Sequence, residues 1–140
     1  MNDQRRFEDW LAGMDVLLDE FMHDLPDEVS AKLDYSLESL DVLEAWFLET
    51  YPSIEALRAD PSVANWDRAT RYYGQVLIKH GGGHWAHNPH NGGGPPQLLG
   101  FAPLVPFVPM FLVSASTDRR TGIFLRTIAE NNLRARQERG

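Results

Sequence analysis

The chain has 140 residues, 43% hydrophobic and 24% charged, with no cysteine and a formal charge of −7. These figures suit one soluble globular domain with a real core, and exclude a disordered tail, a collagen-like repeat and a disulfide-stapled mini-protein. Without cysteine there is no thiol nucleophile, no disulfide and no thiolate-ligated zinc.

The charge is unevenly spread. Residues 1–67 carry 17 acids against 4 bases, and residues 68–140 carry 3 against 9. Either the two parts fold together and partly cancel each other's fields, or the chain presents an acidic face that steers a basic partner. Nucleic-acid binding fits neither the net charge nor the scattered bases. The opening Met1-Asn2-Asp3-Gln4-Arg5-Arg6 leads into an amphipathic pattern rather than an apolar core of a signal peptide, so the expected location is cytoplasmic.

Phe7, Trp10, Leu11, Met14, Leu17, Leu18, Phe21 and Met22 recur at helical spacing, with Asp9, Asp15, Asp19 and Glu20 on the other side. This predicts one amphipathic helix ending at Pro26. Val29, Ala31, Leu33 and Tyr35 alternate with polar residues, as in a short strand or a loop with apolar anchors. Ser36 suits an N-cap for a second helix carrying Leu37, Leu40, Val42, Leu43, Trp46, Phe47 and Tyr51, closed by Pro52. Glu55 to Leu57 fits a brief helical turn. A third helix is predicted over Val63–Lys79, with Trp66, Ala69, Tyr72, Tyr73, Val76 and Leu77 apolar and Gly74 allowing close approach of another backbone. Gly81-Gly82-Gly83 stops it.

Beyond the glycines the character changes. His84 to His87 reads as a strand, Asn88 to Pro96 as a loop, and Gln97–Ala102 and Val108–Ala115 as two further strands. The uncharged run Leu98–Ala115 spans 18 residues, close to membrane length, but Pro103, Pro106 and Pro109 argue against a spanning helix. Its three-residue proline period has the spacing of polyproline II, yet the apolar residues between the prolines suit a buried or edge connection. Thr117 or Ser116 is predicted to cap a last helix with Ile123, Phe124, Ile128 and Leu133 as its buried stripe. Helices, then a strand-rich block, then a helix predict an α+β fold. In it N-terminal helices pack with a small, mostly antiparallel sheet and a C-terminal helix, within a single domain of residues 1–140.

His80, His84, His87 and His90 place four imidazoles in eleven residues, and imidazole is a ligand for zinc, nickel or copper. Three glycines interrupt the face that His80 and His84 would share, and a strand points His84 and His87 to opposite sides. No acid stands between Arg68 and Thr117 to orient the rings, so no metal site is assigned. The glycine runs at 81–83 and 92–94 lack the lysine and hydroxyl of a phosphate loop. Ser114 and Ser116 lack a nucleophile elbow, and the acids of residues 1–67 sit on solvated helix faces. No catalytic residue and no cofactor is assigned.

Leu33-Asp34-Tyr35-Ser36-Leu37-Glu38-Ser39-Leu40-Asp41-Val42-Leu43-Glu44, followed by Tyr72-Tyr73-Gly74-Gln75-Val76-Leu77 and Gly82-Gly83-His84-Trp85, resembles a group of small bacterial proteins of actinobacterial type. The resemblance covers roughly residues 29–115. It implies an α+β fold and no particular activity. Glu is expected where this chain has Gln75, and the histidines lie outside the shared pattern. Some members of such groups look like immunity or accessory proteins of toxin systems. The use of 11 Arg against 2 Lys also fits a GC-rich genome.

Three functions follow as expectations. The first is a non-enzymatic protein-interaction module with an acidic surface, immunity-like or accessory-like. The second is a small-molecule-binding domain with a pocket between helix 63–79 and the sheet, lined by Arg71, Tyr73, Gln75, His84, Trp85 and His87. The third is a histidine-dependent metal-binding protein. The expected partner is a protein rather than nucleic acid or membrane, and the apolar 98–115 segment fits a homodimer interface as well as a core.

Overall fold

The computed structural model describes residues 3–88, 94–101 and 107–139. Among them the elements run α1 (Asp3–Ala12), α2 (Met14–Asp24), α3 (Asp27–Ser30), α4 (Ser39–Thr50), α5 (Ile54–Ala59), α6 (Ala64–Gly81), β1 (His84–Asn88), β2 (Gly94–Leu99), α7 (Pro109–Arg119) and α8 (Phe124–Arg139). The fold is α+β, with a small antiparallel sheet and a C-terminal helix. His84 lies opposite Leu99, Trp85 opposite Leu98 and Ala86 opposite Gln97.

The spine is α6. Ala69, Tyr72, Tyr73, Val76 and Leu77 are fully buried, and α2, α4, α7 and α8 all pack on it. Its sequence range matches the expected helix within two residues. It ends where Gly82 (φ 79°) and Gly83 (φ 95°) take the left-handed conformation that a side chain would strain. Leu40, Leu43 and Phe47 of α4 pack into the same core, and the Ser36 hydroxyl accepts the Ser39 N–H at 3.1 Å in the turn that leads into the helix. The 29–35 segment is a short helix and a loop anchored by buried Leu33, not a strand. There Tyr35 sits at φ 64°, and its N–H donates to the Tyr72 hydroxyl at 2.9 Å.

Gly74 admits close approach, but of an indole rather than a backbone. A Cβ there would lie 2.0 Å from Cζ2 of Trp85 and 2.2 Å from Cη2. The hairpin is therefore seated on α6 by one large ring pressed onto bare main chain.

The structure corrects four expectations. The first helix is two, because Gly13 turns the chain. Its N–H meets the Trp10 carbonyl at 3.3 Å, and its own carbonyl starts α2 by accepting from Leu17 at 3.0 Å. A glycine costs about 1 kcal/mol inside a helix, and the turn lets α1 lie on β1 while α2 packs on α6. Second, Asn88 belongs to β1 and Gly94–Pro96 to β2, so the sheet extends into the expected loop, of which residues 89–93 lie outside the described residues. The strand expected to run to Ala102 ends at Leu99.

Third, Val108–Ala115 is not a strand but the start of α7, with Pro109 at a first-turn position where its missing N–H costs nothing. A continuous apolar run has the composition of a buried strand and of a buried helix alike. Just before α7, Phe107 makes an isolated antiparallel bridge to Leu98. Pro103 and Pro106 lie outside the described residues. Fourth, Ser116 and Thr117 do not cap the last helix. They are buried in α7, and their hydroxyls donate to the carbonyls of Val113 and Ser114 at 2.6 Å each. Among the described residues Leu125 and Ala129 of α8 are buried, the expected Phe124, Ile128 and Leu133 are partly buried against the core, and Ile123 is half exposed.

The cap of α8 comes from elsewhere. The fully buried Glu44 of α4 accepts the N–H of Leu125 at 2.8 Å and of Phe124 at 3.2 Å. This satisfies two of the orphan donors at a helix start. The preceding turn holds Arg120 in the left-handed region (φ 54°). Its guanidinium donates to the carbonyls of Leu48 (3.0 Å), Tyr51 (3.1 Å) and Thr117 (3.3 Å), closing the ends of α4 and α7 together.

Gly74→Ala is expected to destabilise the protein by about 2 kcal/mol, against the gain of roughly 1 kcal/mol that helix propensity alone gives. Urea denaturation checks this, and combining it with Trp85→Leu should cost clearly less than the sum of the two single changes. A second test concerns Glu44. Burial raises its pKa above the ordinary 4.5, outweighing the opposing pull of the helix N–H groups, and Asp41 adds to the rise. Above pH 4.5 the folded chain therefore holds a proton that the unfolded chain gives up, and stability from this group falls as pH rises through the folded value. Urea midpoints between pH 4.5 and 7 should show the wild type losing ground to Glu44→Gln as pH increases.

Candidate functional site

Of the residues singled out by sequence, Arg71, Gln75, Trp85 and His87 gather near one side chain that sequence reading assigned to the core, Trp10 of α1. Its indole N–H donates to Asp67 at 2.7 Å. Asp67 also accepts from Arg71 Nε at 2.7 Å and from Arg68 at 3.0 Å. The spacing of Asp67 and Arg71, four residues apart on α6, places both on one face. Arg71 reaches further. Its Nη1 donates to the Trp10 carbonyl at 2.7 Å, and its guanidinium carbon lies 4.2 Å from the Trp10 ring centroid. Arg71 is thus both a buried ion-pair partner and the clamp that fixes Trp10.

The hairpin supplies the next layer. Trp85 meets Trp10 edge-on, with centroids 4.8 Å apart, and its indole N–H donates to Gln75 Oε1 at 2.7 Å. A glutamate, expected at position 75 from the resemblance, would accept that N–H equally well, so Gln75 keeps the positioning role without the charge. Further along β1, where the ladder is irregular between Ala86 and Asn88, His87 lies 6.2 Å from Phe7, which itself stands nearly parallel to Trp10 at 6.4 Å. Gln97 Nε2 donates to the His87 carbonyl at 2.9 Å, and Asn88 Nδ2 to the Pro95 carbonyl at 3.2 Å, which pins the two strands at this end.

Between α1 and the hairpin this leaves a cleft of about 160 Å³, lined by Arg6, Phe7, Trp10, His87, Asn88, Gly94 and Pro96. Where the pocket was expected, between the third helix and the sheet, the Trp85 ring packs down onto Gly74. The opening lies instead on the α1 side of the hairpin. Arg71, Gln75, Trp85 and His87 surround it as lining or support. Tyr73 does not: it is buried on another side of α6, donates to the Leu125 carbonyl at 3.0 Å, and burial pushes its hydroxyl above the usual phenol range. His84 is exposed. Phe7 and Trp10 gave a helical signal that read as core, and they are half-buried. Their spacing of three residues puts both rings on one face, the one feature that pointed to a shared wall.

The histidines do not gather. The His80 ring is 3.0 Å from the Tyr35 carbonyl, His84 is exposed, His87 faces Phe7, and His90 lies outside the described residues. Among the described residues no three metal-ligating side chains are grouped. A more open depression, lined by Asp15, Leu18, Asp19, Tyr35 and Gln75, lies along α2. No helix among the described residues is long and apolar enough to cross a membrane. Compared with known proteins, the chain matches no family model, no curated protein and no solved structure.

Arg71→Met is expected to cost about 3 kcal/mol in urea denaturation, because it strips Asp67 of its closest cation and unclamps Trp10 at once. The indole N–H resonance of Trp10 should broaden or shift, and that of Trp46, which lies against Phe21, should not.

Proposed function

We propose that the protein is a non-enzymatic interaction module of a bacterial cell, and that its contact face is the acidic outer surface of α1 to α3. The observation that carries this reading is how the acids are sorted. Glu44 caps α8, Asp67 is held by Arg68 and Arg71, and Asp41 pairs with Arg126 at 3.2 Å. Glu8, Asp9, Asp15, Asp19, Glu20, Asp24, Asp27 and Glu28 instead all face solvent on three consecutive helices. Folding the two parts of the chain together thus cancels only some of the negative field; Asp34, Glu38, Glu49, Glu55, Asp118 and Glu130 are also exposed, and α1 to α3 carry the densest run.

Apolar side chains stand within that stretch. Val16 is 62% exposed and Leu11 40%. Carboxylates around solvent-facing aliphatic groups suit a partner surface that is basic at its rim and apolar at its centre. An accessory or immunity-like role, in which such a protein covers a basic face of its target, is the form of interaction that the family resemblance favours.

The test is a capture from the native host at low salt with wild type and with a variant carrying Asp15→Lys, Asp19→Lys and Glu20→Lys. The expected result is a partner retained by the wild type, released as ionic strength rises, and retained at least tenfold less by the variant. A partner retained equally by both proteins would move the contact face elsewhere.

A further inference from the structure

We infer that the cavity between α2, α4 and the start of α6 receives one arginine side chain of a partner protein. That its donor is a protein rests on the acidic-face reading. The choice of arginine rests on the cavity itself, through its size, its aromatic wall and its free acceptors.

Aromatic and small side chains build the cavity. The Trp46 ring of α4 meets the Phe21 ring of α2 edge-on, with centroids 5.4 Å apart. Pro26 follows the end of α2, and Ala64 opens α6 with no more than a methyl group. About 190 Å³ is left between them. A cavity of roughly 150 Å³ takes a benzene ring, whereas drug-sized ligands need roughly 300 Å³ or more. One flat head group with part of its stem therefore fits here.

The acceptors then select that head group. Glu20 and Asp24 stand four residues apart on α2, so both carboxylates reach the cavity from one helix face. Both are exposed, and neither has an ion-pair or hydrogen-bond partner among the described residues. A third acceptor is neutral. The Tyr51 hydroxyl donates to Asp60 at 2.5 Å, so its oxygen accepts from Asn65 Nδ2 at 3.3 Å. This orients the Asn65 amide with its nitrogen towards Tyr51, and its carbonyl oxygen is left to accept at the cavity. Arg68 also borders the cavity, and it donates Nη1 to Asp67 at 3.0 Å. The lining thus holds two unpaired carboxylates against one guanidinium that is already engaged. Acceptors beside an aromatic wall suit a ligand that is flat, cationic and rich in donors. A guanidinium has five N–H donors and no acceptor, is weakly hydrated, and stacks on an indole face. An ammonium carries the charge without the plane or the fork.

The experiment titrates ¹⁵N-labelled full-length protein with an acetylated, amidated Gly-Arg-Gly peptide, following the indole N–H signals of its four tryptophans. Trp46 is the reporter, since Trp10, Trp66 and Trp85 donate their indole N–H groups inside the protein. The same peptide with lysine or with neutral citrulline in the middle serves as comparison. The expected result is saturable movement of the Trp46 signal with the arginine peptide, about threefold weaker binding with lysine and about fivefold weaker with citrulline. Glu20→Gln with Asp24→Asn alters two exposed side chains and should weaken the arginine peptide about fivefold. Asp15→Asn with Asp19→Asn removes as much charge from the same helix, away from this cavity, and should bind as the wild type does. No saturable movement of Trp46 up to ~10 mM peptide, a ceiling set by the modest affinity of so few atoms, overturns the inference. So does equal binding of the lysine or the citrulline peptide, or arginine binding that the Glu20 and Asp24 changes leave unaltered. The two readings fail separately. A partner lost by the triple-lysine variant but held fully by Glu20→Gln with Asp24→Asn removes the arginine site and leaves the acidic face. Saturable arginine binding with no partner captured at low salt supports the guanidinium site and removes the acidic-face reading alone.

Discussion

Trp85 lies against the main chain of α6 at Gly74, where a Cβ would come within 2.0 Å of its ring. Much of the N-terminal half is arranged around that seat. With its six-membered ring on Gly74 and its N–H on Gln75, the indole fixes the tilt of β1. That tilt sets where its edge meets Trp10, and so where α1 lies. A lone two-stranded hairpin is at best marginally stable in water. Here a buried ring with a satisfied N–H anchors it to the most buried helix of the molecule, and the helix forgoes a side chain to make room.

A second polar centre complements this one. Asp67 and Arg71 are a buried ion pair, an arrangement whose desolvation cost largely offsets its attraction. Its value lies in direction: three cationic or N–H donors converge on one carboxylate, and the arginine continues to a carbonyl and a ring face on α1. An apolar pair of equal volume would fill the space without dictating how Trp10 is turned. Gly74–Trp85 and Asp67–Arg71–Trp10 together make the cleft wall a consequence of α6, about five turns of helix.

How much of this was legible follows from how local each signal is. The helices α4 and α6 were readable because apolar periodicity, a capping serine and terminal Pro or Gly all lie within the segment itself. The turn at Gly13 was missed because the apolar stripe continues through it, and what breaks the helix is the separate demands of β1 and α6 on its two halves. Helix α7 was missed because an apolar run has no period to betray it. The cap of α8 was unreadable in principle: Glu44 and Leu125 lie 81 positions apart, and the local hydroxyls at 116 and 117 were the better cap on sequence alone. For the site, Arg71, Gln75, Trp85 and His87 lie near one another, whereas the expected pocket falls on the side of the hairpin that Trp85 fills. Nothing in the sequence says that Trp85 fills its own interface with α6 and leaves the opposite face to Phe7 and Trp10.

Arg120 occupies a backbone conformation that normally goes to glycine, and for a side-chain-bearing residue this strains the chain by about 1 kcal/mol. Glycine would relieve that strain and sever the guanidinium from the carbonyls of Leu48, Tyr51 and Thr117. These carbonyls belong to the ends of two helices far apart in sequence, so neither end can fray while the other stays closed. Glu44 couples α4 to α8 in the same way. Arg120 and Glu44 thus tie the ends of α4, α7 and α8 to one another, in addition to the packing of α7 and α8 on α6.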